Sequence, residues 1–311
     1  MVICGSLCDE FAISGAERGL TMREQYPNCG ASSSARASQM ASSLGRLQTI
    51  PPVVTQALER LEDPRFSSLD LAKLITADHS VTARVIAMAN TAHFEEPSCL
   101  GTVGEAIMGL GHRNTQAILC AASAYTVLCR PVTLRGMERN ELWTHSMTCA
   151  ICSRIIAKEF GLCDPDEAYV AGLLHDVGLP ALESFVRRKD KILSLIRTAD
   201  YPPFMAEQMV LGFDHAHLGS IICRNWRLAD DLVFAVSAHH EPLTKGRPDV
   251  LSAVVNVADS ISSSLGIRTF GQEESVSVDV KVVEWLGLEP GEIGKVLPQI
   301  RASLAELAEM S

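Results

Sequence analysis

From Leu44 to Ser264 the apolar residues recur at helical spacing, in runs that Gly and Pro keep short. Val53, Val54, Ala57, Leu58 and Leu61 form one stripe behind Pro51-Pro52, where proline suits the first turn of a helix. Ser67, with Asp70 three residues on, has the form of a capping box ahead of Leu69, Leu71, Leu74 and Ile75. Gly111 closes the run Val103 to Leu110, and Gly161 ends a long helix expected from Glu138 to Phe160. Pro202-Pro203, Gly212 and Pro242 punctuate helices expected over 181–199, 203–211, 214–226, 229–240 and 249–265. Val276 to Val283 alternates and reads as a short strand or the start of a helix. Aromatic residues make up only 5% of the chain, so the core must be built from Ala, Leu, Ile and Val. The expected class is all-α.

Four regions follow. Residues 1–43 are rich in Ser, Ala, Gly and Cys and cannot bury enough apolar surface to offset their ordering entropy, so a disordered leader is expected. Met22 or Met40 could serve as the physiological start. Residues 44–130 read as five short helices with little polar chemistry inside, an N-terminal lobe. Pro131 to Gly136 breaks the pattern, a second helical lobe is expected over 131–270, and 271–311 form an extension ending in an amphipathic helix, Gly291 to Met310. There is no internal repeat and no Gly-rich nucleotide loop.

Charge and hydropathy exclude two classes of partner. The net charge is −10 and the longest basic block is Arg187-Arg188-Lys189, whereas a protein that neutralises DNA phosphates carries a basic face. Direct nucleic-acid binding is not expected. No apolar run reaches the roughly 18 residues of a membrane span, and Met1 to Ser6 lacks the features of a signal peptide, so the expected compartment is the cytoplasm. The ten cysteines follow no regular pattern and read as reduced. Cys149 and Cys152 have CxxC spacing but no second pair, which is weak support for zinc or redox chemistry.

The chemistry gathers in the histidines. At the end of the apolar run Ala171 to Leu174, His175 and Asp176 sit side by side, and Gly178 and Pro180 are expected to stop that run. An adjacent imidazole and carboxylate can close on one divalent ion. His145 and Asp259 lie on other expected helices, and a bundle can bring such groups together as one metal site. His215, His239 and His240 could hold a second ion nearby. His217 reads as a surface residue, and His79, His93 and His112, far along the chain, are assigned no chemistry.

The order His145, His175-Asp176, Asp259 resembles the HD superfamily of metal-dependent phosphohydrolases. His215 with Gly219, then His239-His240-Glu241, resembles the fuller ligand set of the HD-GYP cyclic-dinucleotide phosphodiesterases. Ile50-Pro-Pro52, Ala77-Asp-His-Ser80, Ala89-Asn-Thr-Ala92, Glu105 to Gly111 and Asp214 to Gly219 together look like the HDOD family, over about residues 44 to 240. That resemblance implies a bacterial, two-lobed, all-α signalling or output module with an HD-like C-terminal lobe. It implies that His145, His175, Asp176, His215, His239, His240 and Asp259 hold one or two divalent ions, for which iron, manganese or zinc suit the mixed donors.

Two departures bear on activity. Active HD-GYP enzymes carry a lysine in HDxGK where this chain has Leu179, and the GYP segment expected after His239-His240 is missing. The expectation is an HDOD-type signalling module with a metal-binding but catalytically impaired site, acting through a signalling protein or a small nucleotide ligand. The alternative is a metal-dependent phosphohydrolase of a nucleotide or cyclic dinucleotide, in which Asp176 is catalytic as the ligand bridging two ions. Oligomeric state is not legible.

Overall fold

The computed structural model describes residue 37 and residues 52–61, 67–92, 100–185, 189–199, 201–265, 278–289 and 291–310. The leader expected over 1–43 lies outside them apart from Ala37, as do His93 and residues 276 and 277. Among the described residues there are fourteen α-helices and no strand. They are α1 Pro52–Leu61, α2 Ser68–Thr76, α3 His79–Ala92, α4 Val103–Leu128, α5 Glu141–Phe160, α6 Pro165–Leu174 and α7 Leu179–Phe185. Then come α8 Lys189–Ala199, α9 Pro203–Leu211, α10 His215–Asn225, α11 Asp230–Ala238, α12 Val250–Ser264, α13 Val280–Trp285 and α14 Ile293–Met310. The chain is all-α. None of these helices is long and apolar enough to cross a membrane.

Local chemistry sets most of the boundaries. Ser67 caps α2, accepting the Asp70 N–H at 3.2 Å and donating its hydroxyl to the Asp70 carboxylate at 2.6 Å. Gly111, at φ 73° and ψ 171°, breaks α4 into the two helical stretches expected, in a region of backbone space that favours glycine. Two expectations need correction. Asn140 is left-handed at φ 69°, so α5 starts at Glu141 and not Glu138. Pro180 does not end a helix but lies in the first turn of α7, where its missing N–H has no helical acceptor. The helix expected over 181–199 takes in α7 and α8, and residues 186–188 between them lie outside the described residues.

The helices α1 to α4 pack on one another, and α5 packs against α6, α12 and α14. Because α5 is buried from His145 through Ala157 on all faces, it is the axis of the second helical group. The groups share one continuous core. Gln116 on α4 donates to the backbone carbonyls of Trp226 and Arg227, and the buried Tyr169 hydroxyl on α6 donates to the Met88 carbonyl at 3.1 Å. Tyr169→Phe removes only that hydroxyl, so it should cost about 1 kcal/mol and lower the thermal midpoint by about 1–2 °C in calorimetry. A midpoint equal to wild type would mean that this contact does not couple the two groups.

One close approach positions the chemistry. A Cβ on Gly172 of α6 would lie 2.8 Å from the Cys149 carbonyl oxygen and 2.9 Å from Ala150 Cα of α5. The two backbones therefore cross there with no room for a side chain. His145 lies one turn before Cys149, and His175 lies just beyond Gly172. The crossing brings their rings together.

Candidate metal centre

Two helix C-termini present paired donors by the same device. His175 is the C-cap of α6, and its Nδ1 lies 2.7 Å from the Gly172 carbonyl. His239 is the C-cap of α11, and its Nδ1 lies 2.8 Å from the Val236 carbonyl. A carbonyl can only accept, so both Nδ1 atoms carry hydrogen and satisfy carbonyls that a helix end leaves unpaired. Each ring thus has its Nε2 free to face inward. Asn256 of α12 donates to the His239 carbonyl at 2.7 Å and fastens α12 to that end.

The first donor set joins α5, the α6 end and α12. His145 Nε2 lies 3.1 Å from Asp259 Oδ1, 3.3 Å from His175 Nε2 and 3.8 Å from Asp176 Oδ2. His175 Nε2 lies 3.3 Å from Asp176 Oδ2 and 3.9 Å from Asp259 Oδ1. The second set joins the start of α10 to the α11 end: His215 Nε2 is 2.8 Å from His240 Nε2. Asp176 lies between the sets, with Oδ1 3.1 Å from His215 Nε2 and 4.0 Å from His239 Nε2. All seven residues singled out in the sequence are therefore brought together. Phe204 of α9 stacks on His240 with ring centroids 4.5 Å apart.

These separations suit an ion. Two donors each about 2.1 Å from one tetrahedral ion lie about 3.4 Å apart, close to the spacings within the first set. The two groups of donor atoms, His145, His175 and Asp176, and His215, His239 and His240, are each compact enough to close on one ion. His239 Nε2 is buried with no hydrogen-bond partner, and with Nδ1 protonated it is a bare lone pair. A buried acceptor without a partner is costly, and a cation satisfies it.

Electrostatics agree with the geometry. Burial pushes the Asp176 carboxyl up, but His175 and His215 outweigh it and hold the group well below the usual range. Burial likewise raises Asp259, and the hydrogen bond from His145 overcomes it. Burial lowers His175, yet Asp176 beside it lifts the ring well above its ordinary value. Burial and the neighbouring His175 push His239 down to about 3, and burial with His239 and His215 lowers His240. The carboxylates therefore call for positive charge, which protons on His175 supply without metal and an ion would replace, while His239 and His240 are held neutral, the form that ligates metal.

Sequence reasoning missed two residues. Glu207 of α9 is buried, and its Oε2 accepts from the His215 backbone N–H at 2.9 Å and lies 2.6 Å from His215 Nδ1. Arg135, also buried, sits in the short 3-10 turn Thr133–Arg135 and pairs with Glu207 Oε1 at 3.1 Å. Burial lowers His215, but Glu207 and Asp176 lift it to about 9 against Arg135. Of the other residues weighed, the Cys149 thiol lies against the His175 ring and hydrogen-bonds it, whereas His217 and Cys152 stay outside the centre. His217 is half-buried on α10, where its N–H donates to the N-cap Asp214 at 2.6 Å. Cys149 and Cys152 are buried free thiols, and burial raises both.

Comparison with known proteins places this geometry. The HDOD domain family model matches residues 47–242. A crystal structure of an HDOD domain protein of unknown function from Geobacter sulfurreducens superposes with a TM-score of 0.61 at 22% identity, over 88% of this chain and 98% of that one. A protein from Shewanella amazonensis SB2B, provisionally named a phosphohydrolase, gives a TM-score of 0.65 at 19% identity, over 87% of this chain and 97% of that one. At these identities the likeness is one of fold. Ribonuclease Y from Opitutus terrae is 32% identical over 121 residues, 39% of this chain but only 17% of that protein's length. The match spans well over half the chain and takes in every donor except Asp259: the chain belongs to the HDOD domain family.

Proposed function

We propose that this chain is a signalling and output module whose HD-type centre holds divalent metal through His145, His175, Asp176, His215, His239, His240 and Asp259 but turns over phosphoesters slowly or not at all. The observation that carries this reading is the pairing of a convergent donor set with Leu179. That side chain is wholly buried at the start of α7, where the resemblance puts a lysine. A buried leucine offers no charge to a phosphate oxygen, and one lost electrostatic contact of that kind costs about 10² to 10³ in rate. Burial of the donors supports the same reading. His145, His175, His215 and His239 are fully buried, and only Asp259 and His240 are partly exposed, whereas a catalytic ion keeps an open position for substrate. In this reading residues 44–130 form a lobe that docks a signalling partner, residues 131–270 carry the metal lobe, and 271–311 are an extension. Mixed imidazole and carboxylate donors suit iron, manganese or zinc. The acidic chain works in the cytoplasm, without touching nucleic acid directly.

A second reading, hydrolysis of a nucleotide or cyclic dinucleotide, is favoured by the position of Asp176, one oxygen facing each donor set. Bound ions there would supply Lewis acidity and an activated water. The chain's own part would be to hold both sets at a fixed distance through that carboxylate.

Metal analysis by plasma mass spectrometry, on protein purified without chelator or oxygen, tests both readings alongside a turnover assay with cyclic dinucleotides. The expected result is bound metal with turnover well below the kcat of about 1–10³ s⁻¹ of ordinary enzymes. Turnover within that range would establish the second reading, and absence of metal would sink both.

A further inference from the structure

His215 differs from the other inward-facing histidines in where it sits. His175 and His239 end helices, and each donates Nδ1–H to a carbonyl of its own last turn. His215 begins a helix, where the first turn offers unpaired N–H groups and no free carbonyl. Its ring and its backbone both need an acceptor from elsewhere. Glu207 Oε2 supplies both, at 2.6 Å to Nδ1 and 2.9 Å to the backbone nitrogen.

Arg135 competes for the same ring nitrogen, with Nη2 3.0 Å from Nδ1. If Arg135 donated to Nδ1, the proton would sit on Nε2 and the ring could not ligate. A carboxylate oxygen at 2.6 Å decides the matter, because two lone pairs cannot face each other at that distance without a proton between them. Arg135 instead spends its charge on Glu207 Oε1 at 3.1 Å. The turn that carries it is itself fixed: the Thr133 hydroxyl and the Leu134 N–H both donate to Glu183, at 2.6 and 3.1 Å, and Lys189 pairs with that carboxylate.

We infer that Glu207 is a positioning residue that keeps hydrogen on His215 Nδ1 and so leaves Nε2, on the side of the second donor set, as the nitrogen that gives up its proton to an ion, while Arg135 holds Glu207 in register. This rests on the metal-binding reading above. A carboxylate orients an imidazole ligand and makes it more basic than a backbone carbonyl does. Glu207 therefore governs the second ion and leaves the first to His145, His175 and Asp259.

The test is zinc titration of the full chain, wild type beside Glu207→Gln and Glu207→Ala, with long-range nitrogen–proton correlation spectra of the histidine rings in the zinc-loaded proteins. The expected result is loss of affinity for one of two ions, by about 10- to 100-fold in Glu207→Ala and less in Glu207→Gln, whose amide oxygen still accepts from Nδ1. The His215 Nδ1 proton should be visible in wild type and Glu207→Gln and lost to exchange in Glu207→Ala. A purely structural glutamate would lower the unfolding temperature yet leave the affinity of the folded protein and that ring signal unchanged, which would overturn the inference. Should Glu207→Ala fail to fold, Glu207→Gln carries the comparison, and wild-type affinity for both ions in that variant overturns it equally. Wild-type protein that takes up no zinc at all refutes the metal-binding reading itself, a separate outcome.

Discussion

Asp176→Ala is expected to empty both donor sets at once. Its two oxygens face different partners, Oδ2 at 3.3 Å from His175 Nε2 and Oδ1 at 3.1 Å from His215 Nε2. No other side chain in the centre spans the two sets in this way. Removing it takes an anionic donor from each set and leaves the second set with imidazoles alone. The loss in affinity should exceed the 10- to 100-fold typical of an outer-shell partner, so more than about 100-fold is expected. Alanine also leaves space beside buried rings, so Asp176→Asn is the control that keeps the volume. Asparagine presents one neutral oxygen and one NH₂ group, and it cannot serve both sets as an anion. Metal content near zero in both variants, with a circular dichroism spectrum like wild type, is the expected outcome. Metal retained at the wild-type level in either variant would remove Asp176 from its bridging position and reduce the centre to a hydrogen-bonded histidine cluster.

Much of this arrangement was legible in the sequence, and the reason is punctuation. Helix ends at Gly161 and Gly212 and starts at Ser67 and Asp164 announce themselves because caps and left-handed turns demand particular residue types. His175-Asp176 was legible for the same reason, as a donor pair set at the end of an apolar run. Glu207 was not, because a glutamate within a helix ordinarily faces solvent. Its signal is that Pro203 to Leu211 contains no other charge and no clear polar face, so a lone carboxylate there has no surface to lie on. Arg135 lay in a six-residue break that reads as a linker, and only its burial reveals it as the counter-charge. A bridging Asp176 is what the hydrolase reading of the sequence implied, and how the chain presents it needed coordinates. Adjacency in sequence suggests that His175 and Asp176 close on one ion, and it is the turn after α6 that aims the second oxygen at α10.

That turn makes Gly178→Ala the substitution with the largest expected effect on the fold. A Cβ there would overlap the His215 carbonyl oxygen and lie 2.7 Å from the Gly219 nitrogen. Both neighbours are backbone at the start of α10, so neither can turn aside as a side-chain end could. The loop 175–178 or the whole of α10 must move. Overpacking of this kind costs about 3 kcal/mol, which for a chain of this size lowers the thermal midpoint by roughly 5 °C. The same displacement would draw Asp176 away from His215 Nε2, so metal affinity should fall together with stability. Gly219→Ala provides the scale. Its Cβ would meet Val236 Cγ1 at 3.0 Å and the Gly178 nitrogen at 3.3 Å, contacts that a few tenths of an ångström relieve. The expected order of midpoints is wild type, then Gly219→Ala, then Gly178→Ala. If Gly178→Ala melts with wild type, or above Gly219→Ala, then the crossing of the two glycines does not set the distance between the donor sets. If the order holds and the metal is lost in step with it, the backbone contact between Gly178 and His215 is what keeps one carboxylate within reach of both ends of the centre.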